Sequence, residues 1–212
     1  MEPSDSKLAF YIMRVSTKFQ TTIELIQFTG MKEELPMTTP VPKGKPVCTT
    51  TFVDANLMHC KVTGRSATVI LHVINQTPVD WFSKRQNTLE TATYRSEVIA
   101  AKTATEQIMD IRMTLQEMEI PIEGPSWMFG DNQSVITSST IPQSTLKKHH
   151  NALAYHRVRS AIAAGFLYFC HIDGTDNIAD VMTKFLPFAV FWPHIQPILF
   201  CRGETIPKEH NS

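Results

Sequence analysis

Ser126–Ser134 reads Ser-Trp-Met-Phe-Gly-Asp-Asn-Gln-Ser. Trp127, Met128 and Phe129 form a short apolar run, Gly130 is a break, and Asp131 follows as a lone carboxylate. Asn132, Gln133 and Ser134 then have the character of a helix start. A buried strand that ends in an acid just before a helix is where open α/β sheets bind their ligands. Asp131 also suits a helix N-cap, its oxygen accepting from a backbone N–H two or three residues on. Capping is the simpler role for an isolated Asp, so a functional role needs further acids at comparable points of the chain.

Three such acids exist. Val47–Asn56 has strand-like Val and Thr density and carries Asp54 near its end. Gly64 centres a turn, Ser66–Asn75 is a near-continuous apolar strand suited to a central position, and Val79–Lys84 alternates. Together these predict an antiparallel meander. Glu90–Glu119 is a long helix with Val98, Ala101, Ala104, Ile108, Ile111 and Leu115 on one face. Thr91 or Thr93 is its expected N-cap, Glu97 lies in its early turns, and Pro121 and Pro125 stop it. After the strand to Asp131 comes a short helix, a Pro-containing loop, and an amphipathic helix over His149–Ala164 that ends at Gly165. Phe166–Ile172 is an aromatic strand, and Ile178–Lys184 a last short helix containing Asp180. The order β-β-β-α-β-α-α-β-α predicts an α/β domain with a five-stranded mixed sheet: three antiparallel strands, then two parallel ones, flanked by helices. If the first and fourth strands are neighbours, Asp54 and Asp131 lie side by side.

Crowded carboxylates repel one another unless a cation neutralises them or one keeps a proton. An all-oxygen set without Cys or clustered His favours Mg²⁺ or Mn²⁺ over zinc. Two such ions suit phosphodiester cleavage, activating a water and stabilising the leaving oxygen. The four cysteines, Cys48, Cys60, Cys170 and Cys201, are scattered, which fits a reducing compartment and neither a zinc site nor a disulfide framework. No apolar run has membrane-spanning length, and the first residues do not resemble a signal peptide.

The 212 residues carry no formal net charge, yet Asn132–Ile172 contains no acid while holding Lys147, Lys148, Arg157 and Arg159. That stretch predicts a local positive face able to contact phosphates. Lys84 and Arg85 are candidates for touching a second phosphate strand, and Asn132 and Gln133 for bonding a sugar edge. His149, His150 and His156 fit structural or solvated roles, and Trp81, Trp127, Phe166 and Phe169 fit the core. Residues 1–45, with the Pro-rich Glu33–Lys45, read as an arm or linker, 46–186 as the folded domain, and 187–212 as an apolar, Pro-broken tail packing on it.

The segments TFVDAN, TGRSATVILHVINQTPVDWFSKRQ, SEVIAA, FGDNQSVI, KKHHNALAYHRVR and HIDGTDNIADVMTK resemble, in order over Lys45–Gly203, the ribonuclease H domain of copia-type retrotransposon polyproteins. The combination of DNQS, the basic Y-H-x-V-R run and ADxxTK is far more specific than any single piece. The resemblance implies a ribonuclease H-like fold and hydrolysis of the RNA strand of RNA–DNA hybrids with two Mg²⁺ ions, Mn²⁺ being able to substitute. It implies Asp54, Glu97, Asp131 and Asp180 as metal-binding, catalytic acids, and His171 as a candidate general acid or base near the strand end. The expected partners are a hybrid duplex and a reverse transcriptase domain, of which residues 1–32 are a candidate remnant. The expected setting is a cytoplasmic virus-like particle or the nucleus, without secretion. Arg95 departs from the residue usual before the SE motif, and no YxDD-type polymerase motif occurs. Two alternatives stand beside the nuclease. One is a catalytically silent transposon remnant that binds nucleic acid or serves as a structural module. The other is an integrase-like transferase of the same fold.

Overall fold

The structure is a computed structural model and describes residues 37–57, 62–75, 77–87, 92–141, 152–183 and 186–196. Several sequence expectations lie outside these residues: the arm before residue 37, Lys147, Lys148, His149, His150, Thr91, Cys60, Cys201 and the tail after residue 196.

The sheet order is β3-β2-β1-β4-β5. Strands β1 (Thr49–Asn56), β2 (Ala67–Ile74) and β3 (Thr77–Arg85) form the expected antiparallel meander. Helix α1 (Thr93–Glu117) then carries the chain over one face, so that β4 (Ser126–Gly130) can lie parallel to β1. Helices α2 (Gln133–Thr140) and α3 (Ala152–Ala163) precede β5 (Leu167–His171), which is parallel to β4. A 3₁₀ helix spans Ile178–Met182, and α4 spans Phe188–Ile195. Parallel neighbours require such crossovers, whereas the meander needs only tight turns. Gly64 at φ 66° and Asn75 at φ 55° make the turns flanking β2.

The eight-residue strands β1 and β2 are buried almost throughout, as central strands covered on both faces must be. Side chains alternate between two apolar clusters. Val53, Ile70 and Met128 pack with Val98, Ala101, Ala104 and Ile108 of α1 and with Tyr155, Val158 and Ile162 of α3. Phe52, Val69, Leu71 and Phe129 pack on the opposite face with Cys170, Ile178 and Ala179. Burial pushes the Cys170 thiol up to about 12. The α1 face is stitched by buried polar groups as well. Thr51 Oγ1 lies 2.8 Å from His72 Nδ1, and His72 Nε2 lies 3.1 Å from Gln107 Oε1. Arg112, 4% exposed, donates to the Gly124 carbonyl and to Ser126 Oγ at the start of β4.

Three local expectations are corrected. Gly130 is no break: it closes β4, paired with His171, and a Cβ there would lie 3.2 Å from the Phe169 ring. Trp81 is not core but 70% exposed, because β3 is an edge strand. Helix α1 has Ala92, not a threonine, as its N-cap residue, with no side-chain cap. The first turn is held instead by buried Gln86, whose Nε2 donates to the Ser96 carbonyl at 2.8 Å and to Thr68 Oγ1 at 2.9 Å. Of the apolar tail, only residues 187–196 lie among the described residues; they hold α4, with Phe188 65% exposed.

Candidate metal centre

Asp54 reaches its position because β1 pairs with β4 in parallel register, Phe52 opposite Phe129. Both strands therefore end on the same rim of the sheet. Asp131 follows Gly130 at the end of β4 on that rim. Glu97, on the fifth residue of α1, descends to it because Gln86 fixes the first turn of that helix against β2. Asp54, Glu97 and Asp131 each offer a carboxylate oxygen within 4.8 Å of the others. Asp54 is only 4% exposed and Glu97 7%. Three acids this close, two of them withdrawn from water, need a shared cation or a retained proton. An all-carboxylate donor set fits a hard divalent ion such as Mg²⁺ or Mn²⁺.

Capping does not account for Asp131. The N-cap of α2 is Asn132, whose side-chain oxygen accepts from Ser134 N at 3.1 Å and Val135 N at 3.2 Å. The neighbouring amide thus caps the helix and leaves the acid on the rim. Gly174 of the loop after β5 runs directly alongside, since a Cβ on it would stand 3.4 Å from Asp131 Oδ2.

Asp180 falls outside the set of three. It is half-buried within the 3₁₀ helix, and its backbone carbonyl accepts from Thr183 N. The segment around it nevertheless bonds to β1 at three points. Asn177 Nδ2 donates to the Val53 carbonyl at 3.0 Å, Asn56 Nδ2 donates to the Thr183 carbonyl at 2.9 Å, and Thr183 Oγ1 donates to Asp54 Oδ2 at 2.7 Å. Asn177 also caps the 3₁₀ helix through Ala179 N. Asn177 does not stand out in the sequence, whereas Thr183 is the threonine of the ADxxTK run, a position to which the resemblance attaches no role of its own.

His171 ends β5 with Nε2 3.0 Å from the Asp131 carbonyl oxygen. A carbonyl only accepts, so Nε2 carries the proton and Nδ1 is the atom at which a neutral ring would take another. Among the basic candidates, Arg157 is exposed on α3. Arg159 faces α2, donating from one terminal nitrogen to the carbonyls of Ser138 and Ile141, at 2.9 and 2.8 Å, and to the Tyr155 hydroxyl. Gln133 is exposed, with Nε2 on Thr137 Oγ1 at 3.1 Å.

The 3-2-1-4-5 sheet, with an acidic cup where its first and fourth strands end, defines a ribonuclease H-like domain. Within that class, the chain has distant homology to copia-type retrotransposon Pol polyproteins. It is 26% identical over 114 residues to the retrovirus-related Pol polyprotein from transposon RE2 of Arabidopsis thaliana, covering 54% of this chain and 8% of that protein. It is 25% identical over 136 residues to the Pol polyprotein from transposon TNT 1-94 of Nicotiana tabacum, covering 64% of this chain and 10% of that protein. The chain thus spans no more than a tenth of the length of these curated relatives. No protein-family profile matches it. Similar solved structures include RNase H1 from Halobacterium salinarum, at TM-score 0.42 and 17% identity, covering 64% of this chain and 91% of that one. Another is LC11-RNase H1, isolated from compost by a metagenomic approach, at TM-score 0.47 and 13% identity, covering 65% and 91%. Among the described residues, no helix is long and apolar enough to cross a membrane.

Proposed function

We propose that this domain is a divalent-metal-dependent endonuclease that hydrolyses the RNA strand of RNA–DNA hybrids, serving retrotransposon reverse transcription. The observation that carries the proposal is the meeting of Asp54, Glu97 and Asp131 from β1, α1 and the end of β4. These three side chains would hold Mg²⁺ or Mn²⁺, with Asp180 of the 3₁₀ helix as the fourth acid that the resemblance implies. The ions, two in number, would supply the positive charge that activates a water and stabilises the departing oxygen of a phosphodiester.

The chain's own groups divide the remaining work. Burial of Asp54 and Glu97 fixes the negative charge in place before substrate arrives. Arg157, with Lys147 and Lys148, supplies phosphate contacts that hold a duplex by its backbone. Hybrid selectivity rests on sugar hydroxyls, for which the Asn132 amide and Gln133 are the donors next to Asp131. His171, tethered to the Asp131 carbonyl, exchanges a proton with the reacting groups at Nδ1. Arg159, engaged with α2, contributes to phosphate contact less than Arg157 does.

The test is a labelled hybrid incubated with wild type and Asp131→Asn, in Mg²⁺ and in EDTA. Wild type should cut only in Mg²⁺, and Asp131→Asn should fold, still bind, and lose cleavage by at least about a hundredfold, the scale of one lost electrostatic contact to a developing charge. Full activity in the variant would remove the assignment. A hybrid shifted in a gel but never cut would instead mark a binding module.

A further inference from the structure

We infer that Thr183 is a positioning residue for Asp54: its hydroxyl sets the orientation of that carboxylate and so the divalent-ion affinity of the whole cup. The inference rests on the metal-centre reading above and concerns a residue outside the set of acids. An Asp side chain turns easily about its last torsion, because that sp³–sp² rotation is broad and nearly two-fold. Asp54 therefore needs something to decide which oxygen faces the other acids. The Thr183 hydroxyl lies 2.7 Å from Asp54 Oδ2 and 2.8 Å from the Asp180 carbonyl oxygen. It has a single proton, and the charged acceptor makes the stronger bond. Tying Oδ2 locks the torsion and so directs both oxygens at once.

The tether is itself anchored. Thr183 is 3% exposed, and its carbonyl accepts from Asn56 Nδ2, two residues beyond Asp54 on the same strand. At the other end of the 3₁₀ helix, Asn177 is 1% exposed and donates to the Val53 carbonyl, one residue before Asp54. Bonds at residues 53, 54 and 56 bracket the carboxylate between two fixed points. The 3₁₀ helix thus serves Asp54 directly, apart from any service of Asp180. Groups that orient a ligating carboxylate change metal affinity when lost, by about 10–100-fold.

The test compares wild type, Thr183→Val and Thr183→Ser. Mn²⁺ binding is followed by loss of the free-ion EPR signal, thermal unfolding is measured in EDTA, and hybrid cleavage against Mg²⁺ concentration gives a second readout. Valine keeps the shape and removes the donor, so Thr183→Val should bind Mn²⁺ at least about tenfold more weakly. It should also need correspondingly more Mg²⁺ for half-maximal cleavage, and still unfold cooperatively. Thr183→Ser should recover most of the affinity. Equal Mn²⁺ affinity in wild type and Thr183→Val overturns the inference and leaves the metal centre standing. Weakened binding in both folded variants overturns it too, because the hydroxyl would not be the cause. Should wild type bind no Mn²⁺, the metal-centre reading fails, and this inference with it. If Thr183→Val does not fold, Thr183→Ser and Thr183→Cys decide: cysteine, a weak donor, should fall below serine in Mn²⁺ affinity, and equality between them overturns the inference.

Discussion

Replacing Glu97 with Gln should make the metal-free protein more stable while removing its function. The three acids offer oxygens within 4.8 Å of one another, so at an effective dielectric of about 20 each ionised pair repels by at least about 3.5 kcal/mol. Glu97 takes part in two of the three pairs, and both disappear in the amide. Side-chain relaxation and penetrating water reduce this repulsion, so the expected gain is smaller, about 1–3 kcal/mol at neutral pH. For a domain of this size that is a rise in melting temperature of about 3–8 °C in EDTA. Divalent ions reverse the order. At about 100 times its dissociation constant an ion returns about 2.7 kcal/mol to the wild type, and far less to a cup with one acid removed. Paired calorimetric melts across a Mg²⁺ titration, with cleavage measured alongside, read both effects. A metal-free Glu97→Gln that melts below wild type, or equal Mg²⁺ shifts in the two proteins, would refute the shared cup.

Three further outcomes are expected. His72 is 2% exposed, and its burial depresses its pKa against weaker upward contributions from Gln107 and Asp80. The unfolded chain, with histidines near about 6.5, then takes up protons the native state refuses, so stability should fall as pH drops below about 6.5. His72→Gln should flatten that limb in pH-dependent urea melts, and an unchanged slope would contradict it. On α3, Arg159→Ala should cost about 1–3 kcal/mol and weaken amide protection at the end of α2, because the carbonyls of Ser138 and Ile141 lose a charged donor. Arg157→Ala should leave stability alone and instead make hybrid affinity less salt-dependent, reducing the log–log slope by about 0.9; the opposite assignment of the two arginines would show in the same pair of assays.

The sheet order and the long helix were legible because they follow from patterns of burial: the continuous apolar run of Ala67–Ile74, the three- and four-residue spacing from Val98 to Leu115, and the prolines after it. The same pattern, with β1 and β4 adjacent, brings Asp54 and Asp131 side by side, whereas Glu97 joins them only through the family resemblance. What escaped sequence reasoning were choices between chemically equivalent neighbours. Asp131 and Asn132 both suit a cap, and only the backbone at Asn132 decides it. Arg157 and Arg159 differ by two residues on one helix, yet that spacing turns one toward water and the other toward α2. Trp81 looked like core because size and polarity say nothing about which strand is at an edge. Thr183 is different again: it belongs to the ADxxTK run, but that run says nothing of its bond to a residue 129 positions away.

That separation has a bearing on how the protein is made. All five described strands precede residue 172, whereas the anchors of Asp54 lie between residues 177 and 183. At about 5–20 residues per second, a ribosome adds Thr183 roughly 6–26 s after Asp54. A nascent chain can therefore complete its sheet before Asp54, the most buried acid among the described residues, has been given a fixed direction. On the inference drawn above, affinity for a divalent ion would then arrive after architecture, as the last property the chain acquires.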